Sequence, residues 1–253
     1  MEPPDAAAAL AEPLGTVAGA TFYFSPQSAA RAVAIGIDVV ALYAAGRGGV
    51  LGNAGPVEVD EAFFFFKPGM IAGLVAGARA TAPLADILEA HLASADDFAR
   101  ATFGGIEPAV LMAFDAAGST VVGSLPAGMW PLVDGYRSAT LPGDPRTDAF
   151  RWAILLRELR GGVHRDAAEA AGLTGAVACQ FDRGDGYYAL HGFGDEDRVA
   201  ETPEVLGAKA SAEQATDERM GELLSVLDED GIEALVVGAL ALHDALAAPV
   251  PAG

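Results

Sequence analysis

Phe63, Phe64, Phe65 and Phe66 follow one another without a break. Successive helical side chains are turned by about 100°, so four neighbouring rings cannot share one helix face. A fold that contains this run must enclose it on most sides, as ordinary core or as the wall of an apolar cavity. Phe22 and Phe24 are further aromatics available to the same region.

The pattern around the run is helical. The chain has 253 residues, 52% of them hydrophobic, and its mean hydropathy is positive, which supports a large core and argues against disorder. Alanine, leucine and valine dominate the apolar residues. Alanine favours helix and close helix packing. In residues 82–102, Leu84, Ile87, Leu88, His91, Leu92 and Phe98 recur at helical spacing. Ser25-Pro26 is a helix-start pair, serine as cap and proline at the first helical position. Asp38 opens a segment ending at Gly46-Arg47-Gly48-Gly49. Further helices are expected over residues 6–18 (interrupted or ended by Pro13 and Gly15), 68–80, 107–117, 126–138, 148–159, 164–171 and 175–181. Residues 202–246 return to helix with a break near 228–231, residues 1–5 read as a frayed tail, and residues 182–197 as a loop or small hairpin.

No repeated strand–helix alternation is present, so a parallel sheet is not expected. The prediction is an all-α, multi-helix globular bundle with a helix-turn-helix-like corner in its second half. The Pro/Gly-rich residues 141–145 divide it into an N-terminal helical half with the aromatic segment, 1–140, and a C-terminal half, 146–253, packed as one unit.

Charge narrows the partners. Fifteen Lys and Arg stand against 35 Asp and Glu, a net charge of −20. Such a chain repels polyanions, so nucleic acid and anionic membranes are not expected as partners. Apolar stretches such as residues 232–242 fall far short of the ~20 residues a membrane helix requires. That stretch lacks a clear polar face, which fits either a homodimer surface or central core. The single Cys179 excludes an internal disulfide and fits a reducing compartment. With no basic region ahead of an apolar stretch at the start, the expectation is a cytoplasmic protein. His91, His164, His191 and His243 are scattered with no pair at i, i+4, so no metal site is expected. Glycine-rich nucleotide loops are missing too, and no cofactor is expected.

Residues 164–177 resemble the core of a helix-turn-helix, with Ala168 at the helix crossing, Gly172 at the turn and Leu173 as the plug. The following helix carries no Lys, Arg or Asn, and Gln180 is its only side chain suited to a base edge. Asp166, Glu169, Asp182 and Asp185 surround it. Charge therefore favours a structural corner over a DNA reader.

The chain also resembles a known family, the actinobacterial SalK-like helix-turn-helix family. The residues that carry the likeness begin with Phe22-Tyr23-Phe24-Ser25-Pro26, Tyr43-Ala44-Ala45-Gly46-Arg47 with Leu51-Gly52, and the four phenylalanines with Pro68. It continues from Leu155 through Arg157-Glu158-Leu159-Arg160-Gly161-Gly162-Val163-His164 to Ala171-Gly172-Leu173, and ends at Glu213-Gln214-Ala215-Thr216-Asp217. The resemblance implies an α-helical fold with a helix-turn-helix portion in the second half, and a transcriptional regulator. Fuller members carry a winged-helix stretch after the corner; residues 182–201 are too short and too acidic to form one.

The scarce arginines are the candidate functional groups. Arg-Gly-Gly-Val occurs at residues 47–50 and again at 160–163, each copy closing an apolar helix-like segment. The contexts do not align beyond the tetrapeptide, so the chain is not read as a duplication. Arg47 stands near Tyr43; Arg157 and Arg160 are three apart, with His164 just past the expected helix end. A pocket holding Arg47, Arg157 and His164 can clamp a carboxylate, phosphate or enolate oxygen, and His164 can exchange protons near neutral pH. The candidate catalytic residues are His164, Arg157 and Arg47, and the candidate ligand contacts are Tyr43, Phe63, Phe64, Phe66 and Arg160. The competing reading is helix C-capping, or pairing of Arg157 with Glu158 or a remote acid. Tyr187, Tyr188, His191 and Phe193 read as a lid or as a surface loop tucked onto the core. Three functions follow: binding of a small anionic or oxygenated organic molecule, a cofactor-independent acid/base enzyme on the same pocket, and a helix-turn-helix regulator.

Overall fold

Proline sets many helix starts in this chain. Its fixed φ suits the first turn, where its missing N–H costs nothing. In the computed structural model, which describes residues 1–181 and 184–247, prolines open α1 (Pro3–Val17), α3 (Pro26–Ala34) and α5 (Pro56–Ala62), with α2 (Ala20–Tyr23) and α4 (Val39–Gly49) between them. α6 (Met70–Thr81) and α7 (Leu84–Thr102) follow, then the proline-led α8 (Pro108–Ser124), α9 (Pro131–Arg137) and α10 (Pro145–Ala170). α11 (Gly175–Gln180), α12 (Asp185–Leu190), a 3-10 turn at Asp195–Asp197, α13 (Pro203–Leu224) and α14 (Glu229–Ala247) follow among the described residues. No strand occurs among the described residues. The fold is all-α.

Two of the expected caps are in place. The Ser25 hydroxyl accepts from the Ser28 N–H at 3.1 Å, and the Asp38 carboxylate from the Ala41 N–H at 2.8 Å.

α10 is the central element. It packs on α7, α8, α9, α13 and α1, while α14 lies against α8 and α1. The largest core cluster joins these helices, with Phe22, Phe98, Phe103 and Phe150 in mutual ring contact inside it. A second cluster holds α3, α4, α5, α6 and the start of α7 around Leu42, Ile71 and Ile87.

The phenylalanine run resolves the constraint it poses by leaving helix altogether. Residues 63–66 form a turn after α5. Phe63 enters the second cluster and Phe66 packs beside it, Phe64 joins Ala168, Leu173 and Ala212, and Phe65 joins Cys179, Tyr188 and Phe193. One short turn thus ties α4–α6 to the corner that follows α10.

Four sequence expectations are corrected. The second Arg-Gly-Gly-Val does not end a helix: α10 runs unbroken through it, merging two expected helices, and His164 lies inside. The reason is packing. A Cβ on Gly162 would stand 2.5 Å from Trp130 Cδ1, so glycine is there to admit the indole. Pro13 does not end α1, whose buried Ala6, Leu10, Leu14 and Val17 lock it against α13, α14 and α10. That burial outweighs the roughly 3 kcal/mol penalty of an internal proline. Residues 3–5 belong to the same helix and not to a tail. Finally, residues 182–197 contain α12, held by the fully buried Tyr188; residues 182 and 183 of that expected loop lie outside the described residues.

Candidate functional site

The helix-turn-helix corner is built as its residues dictate. α10 ends in a Schellman cap: Gly172 N–H donates to Glu169 O at 3.0 Å and Leu173 N–H to Ala168 O at 2.9 Å. Gly172 sits at φ +74°, which glycine adopts at no steric cost. Ala168 is fully buried at the crossing and Leu173 plugs the junction, as expected from sequence. Thr174 then caps α11 through the Val177 N–H.

α11, in the position of a recognition helix, is turned inward. Gly175, Ala178, Cys179 and Gln180 are buried. A Cβ on Gly175 would meet Phe64 O at 2.0 Å, so this helix rests directly on the aromatic turn. The Cys179 thiol reaches Phe65 O at 3.4 Å. The Gln180 amide is committed to Val199, donating to its carbonyl at 2.7 Å and accepting from its N–H at 2.8 Å.

Beside the corner lies a cavity of about 320 Å³. The face of α10 presenting Arg157, Arg160 and His164 forms one wall; these positions fall on one side because the helix is continuous. α4 contributes Tyr43 and Arg47, α2 Tyr23, and α6 Met70, Ile71 and Leu74. Phe65 and Phe66 close a side, and Tyr187 and Leu190 of α12 with His191 just after it cover the cavity. The three candidate catalytic residues and Tyr43, Phe66 and Arg160 therefore share one space. Phe63 and Phe64 stand outside it, along a crevice of about 50 Å³ with Trp130 and Glu158. Tyr23 and Cys179 are lining residues that no sequence spacing singles out as ligand contacts, whereas Phe65 belongs to the aromatic run expected as core or cavity wall.

Ion pairing organises the arginine wall. Arg47 gives Nε and Nη2 to the two oxygens of Glu158, each at 2.7 Å, and Nη1 to the Tyr43 hydroxyl at 3.0 Å. Its guanidinium lies 4.6 Å from the Phe63 ring centroid. Arg157 adds one bond to the same carboxylate, Nη1 to Oε1 at 2.8 Å. Burial works to raise the Glu158 pKa, but the charges of Arg47 and Arg157 outweigh it and hold the carboxyl at about 2. Glu158 thus stays ionised, and the bridge across α4 and α10 is a buried, bidentate one.

Further along, Arg160 meets Glu213 and Asp217 at 3.1 and 3.2 Å. Thr216 donates its proton to Ala212 O at 2.7 Å, so its oxygen accepts from Nδ1–H of His164 at 2.9 Å. The imidazole stacks on Phe65, centroids 5.3 Å apart. Behind the cavity, His91 is buried against the Tyr136 hydroxyl at 2.8 Å. Burial drives its pKa down to about 3, so the ring is neutral.

A helix-turn-helix family model matches residues 6–198. The chain belongs to this helix-turn-helix family. No curated protein and no solved structure matches it. The family span takes in the corner and every residue that lines the cavity, from Ala11 to His191. The two features are contiguous in this family member, since Phe65 touches both His164 in the cavity wall and Cys179 in α11.

Proposed function

We propose that this helix-turn-helix family member binds a small organic molecule, recognised by the arginines of α10 and α4 inside an aromatic enclosure. The observation that carries this reading is the cavity of about 320 Å³ in which Arg47, Arg157, Arg160 and His164 converge with Tyr23, Tyr43, Phe65 and Phe66. Its size lies at the small end of the roughly 300–1,000 Å³ typical of ligand sites. The finer family placement, among actinobacterial SalK-like proteins, rests on the sequence resemblance and belongs to the same proposal.

The test is native mass spectrometry of freshly purified full-length chain, with a thermal-shift screen of small organic acids, phenols and neutral aromatics. A ligand at 100 times its Kd stabilises by about 2.7 kcal/mol, a melting shift of roughly 5–10 °C for a chain this size. No co-purifying adduct and no shift across the screen would reject the reading.

Family membership favours a second reading, a DNA-binding regulator. It requires α11 to reach a groove, whereas its side chains face the aromatic turn and Val199. Binding of duplex DNA at physiological salt, weakening steeply as salt rises, would establish it.

A further inference from the structure

The cavity is charged against the bias of the whole chain. The protein carries −20, yet among the described residues that line the cavity the charged ones are Arg47, Arg157 and Arg160, with no Asp or Glu in the lining. What matters is how much of that positive charge is already answered. Arg160 faces two carboxylates, Glu213 and Asp217. Arg47 commits Nε, Nη1 and Nη2 to Glu158 and Tyr43. Arg157 commits Nη1 alone, to an oxygen of Glu158 that Arg47 Nε already occupies. Among the described residues, its remaining N–H groups meet no side-chain acceptor. One carboxylate serves two guanidiniums, and of the three arginines on the cavity wall Arg157 is the least fully paired among the described residues.

An independent observation points to the same spot. Tyr23 lines the cavity and is 4% exposed, and its hydroxyl is buried without a hydrogen-bond partner. Arg157's guanidinium carbon lies 6.0 Å from the centre of that ring. Buried hydroxyls in native proteins almost always find a partner, and this one stands without one at a residue of the cavity wall. Around this pair the walls are rings: Tyr43 edge-on to Tyr23 at 4.8 Å, and His191 against Phe66 at 4.4 Å and Tyr187 at 4.1 Å.

We propose that the cavity takes a planar aromatic monocarboxylate. One carboxylate oxygen accepts from the uncommitted N–H groups of Arg157 and the other from the Tyr23 hydroxyl, with the ring system among Phe66, Tyr187 and His191. The uncommitted donor edge of Arg157 matches one carboxylate; with Arg160 already facing Glu213 and Asp217, the second negative charge of a phosphate monoester would meet no further uncommitted arginine among the described residues. This inference rests on the small-molecule reading above and adds the ligand's charge and shape.

Three probes on one ring system test it: 2-naphthoate, 2-naphthamide and 2-naphthyl phosphate, titrated calorimetrically into the full-length chain at pH 7.5. The naphthoate is expected to bind about tenfold tighter or more than either of the others. Arg157→Gln should bring it down to the amide's affinity, Arg157→Lys should give an intermediate value, and Tyr23→Phe should weaken it by about threefold or more. Circular dichroism checks that each variant is folded, and the wild-type ranking decides the matter even where a variant is not. If the amide or the phosphate matches the carboxylate, or if none of the three binds while another ligand raises the melting temperature, the monocarboxylate assignment falls and the small-molecule reading stands. If no small molecule binds at all, both fall.

Discussion

Gly161 and Gly162 are neighbours in the middle of one helix, and the structure assigns them opposite roles. An added Cβ at Gly161 meets nothing within 4 Å, whereas at Gly162 it would lie 2.5 Å from Trp130 Cδ1, 2.8 Å from Cγ and 3.1 Å from Nε1. Gly161→Ala therefore gains helix propensity at no steric cost, a stabilisation of about 0.8–1 kcal/mol. Gly162→Ala gains the same propensity but must displace a ring that is 4% exposed and whose Nε1 donates to Asp166 at 2.9 Å. Overpacking costs roughly 1–3 kcal/mol, and a weakened bond to a carboxylate roughly 1.5–3 kcal/mol more. The net expectation for Gly162→Ala is a loss of roughly 1.5–5 kcal/mol once the propensity gain is subtracted. The two single-methyl variants should thus differ by more than about 2 kcal/mol in opposite directions.

Urea denaturation followed at 222 nm measures this directly. The midpoint should rise for Gly161→Ala and fall for Gly162→Ala, with an unchanged slope. If both move the same way, or lie within about 0.5 kcal/mol of each other, close approach of Trp130 is not why α10 carries glycine there. The reading of the second Arg-Gly-Gly-Val as a packing notch would then be refuted.

Two further outcomes follow from the buried charges. Glu158→Gln leaves Arg47 and Arg157 facing an amide in place of a carboxylate, and should destabilise by about 3–5 kcal/mol, read as a lowered melting temperature; a loss under about 1 kcal/mol would mean the bridge is solvated. On acidification, His91 refuses a proton in the folded state down to about pH 3, while the unfolded chain takes one up below about pH 6.5. Its contribution is intact above pH 6.5 and is lost as pH falls toward 3, at about 1.4 kcal/mol per unit across that window. His91→Gln should remove that slope between pH 6.5 and 4.5 in urea titrations, and an unchanged slope would count against a buried neutral imidazole. Glu158 adds its own loss only below about pH 4.5, its folded pKa being depressed to about 2.

Local signals are legible in this sequence. Ser25-Pro26 and Asp38 announce helix starts with side chains that cap their own backbone, and Gly172-Leu173 announces a Schellman end, because each of these interactions spans only a few residues. The convergence of Arg47, Arg157 and His164 was posed by residue type, not by spacing, since Arg47 and Glu158 meet across 111 positions. The misreadings share one cause. Gly161-Gly162 and Pro13 look like helix breakers in isolation, yet Trp130 fills the notch of one and three packed helices hold the other. α12 is six residues long and owes its conformation to Tyr188 buried against Cys179 and Phe193, a contact no local periodicity displays. Tyr23 is not singled out as a ligand contact by its sequence because nothing in its own segment distinguishes a core tyrosine from one that lines a cavity.

The aromatic turn is where these elements become one argument. Its four rings point to four places: the α4–α6 core, the helix corner, the α11–α12 cluster and the cavity wall. Moving α11 outward, as groove recognition requires, would pull Gly175 off Phe64 O and Cys179 off Phe65 O. Phe65 would lose its place in the wall at the same time, because it also carries the stacked imidazole of His164. On the proposed small-molecule reading, occupancy of the cavity and the position of α11 are expected to be coupled through Phe65, which contacts both. A ligand packed against Phe65 favours the inward helix, to the extent that it binds that arrangement more tightly than an opened one. Phe65→Ala uncouples them: it should weaken ligand binding and raise amide exchange across residues 175–180 together. If binding weakens while exchange in α11 is unchanged, the corner and the cavity are merely adjacent.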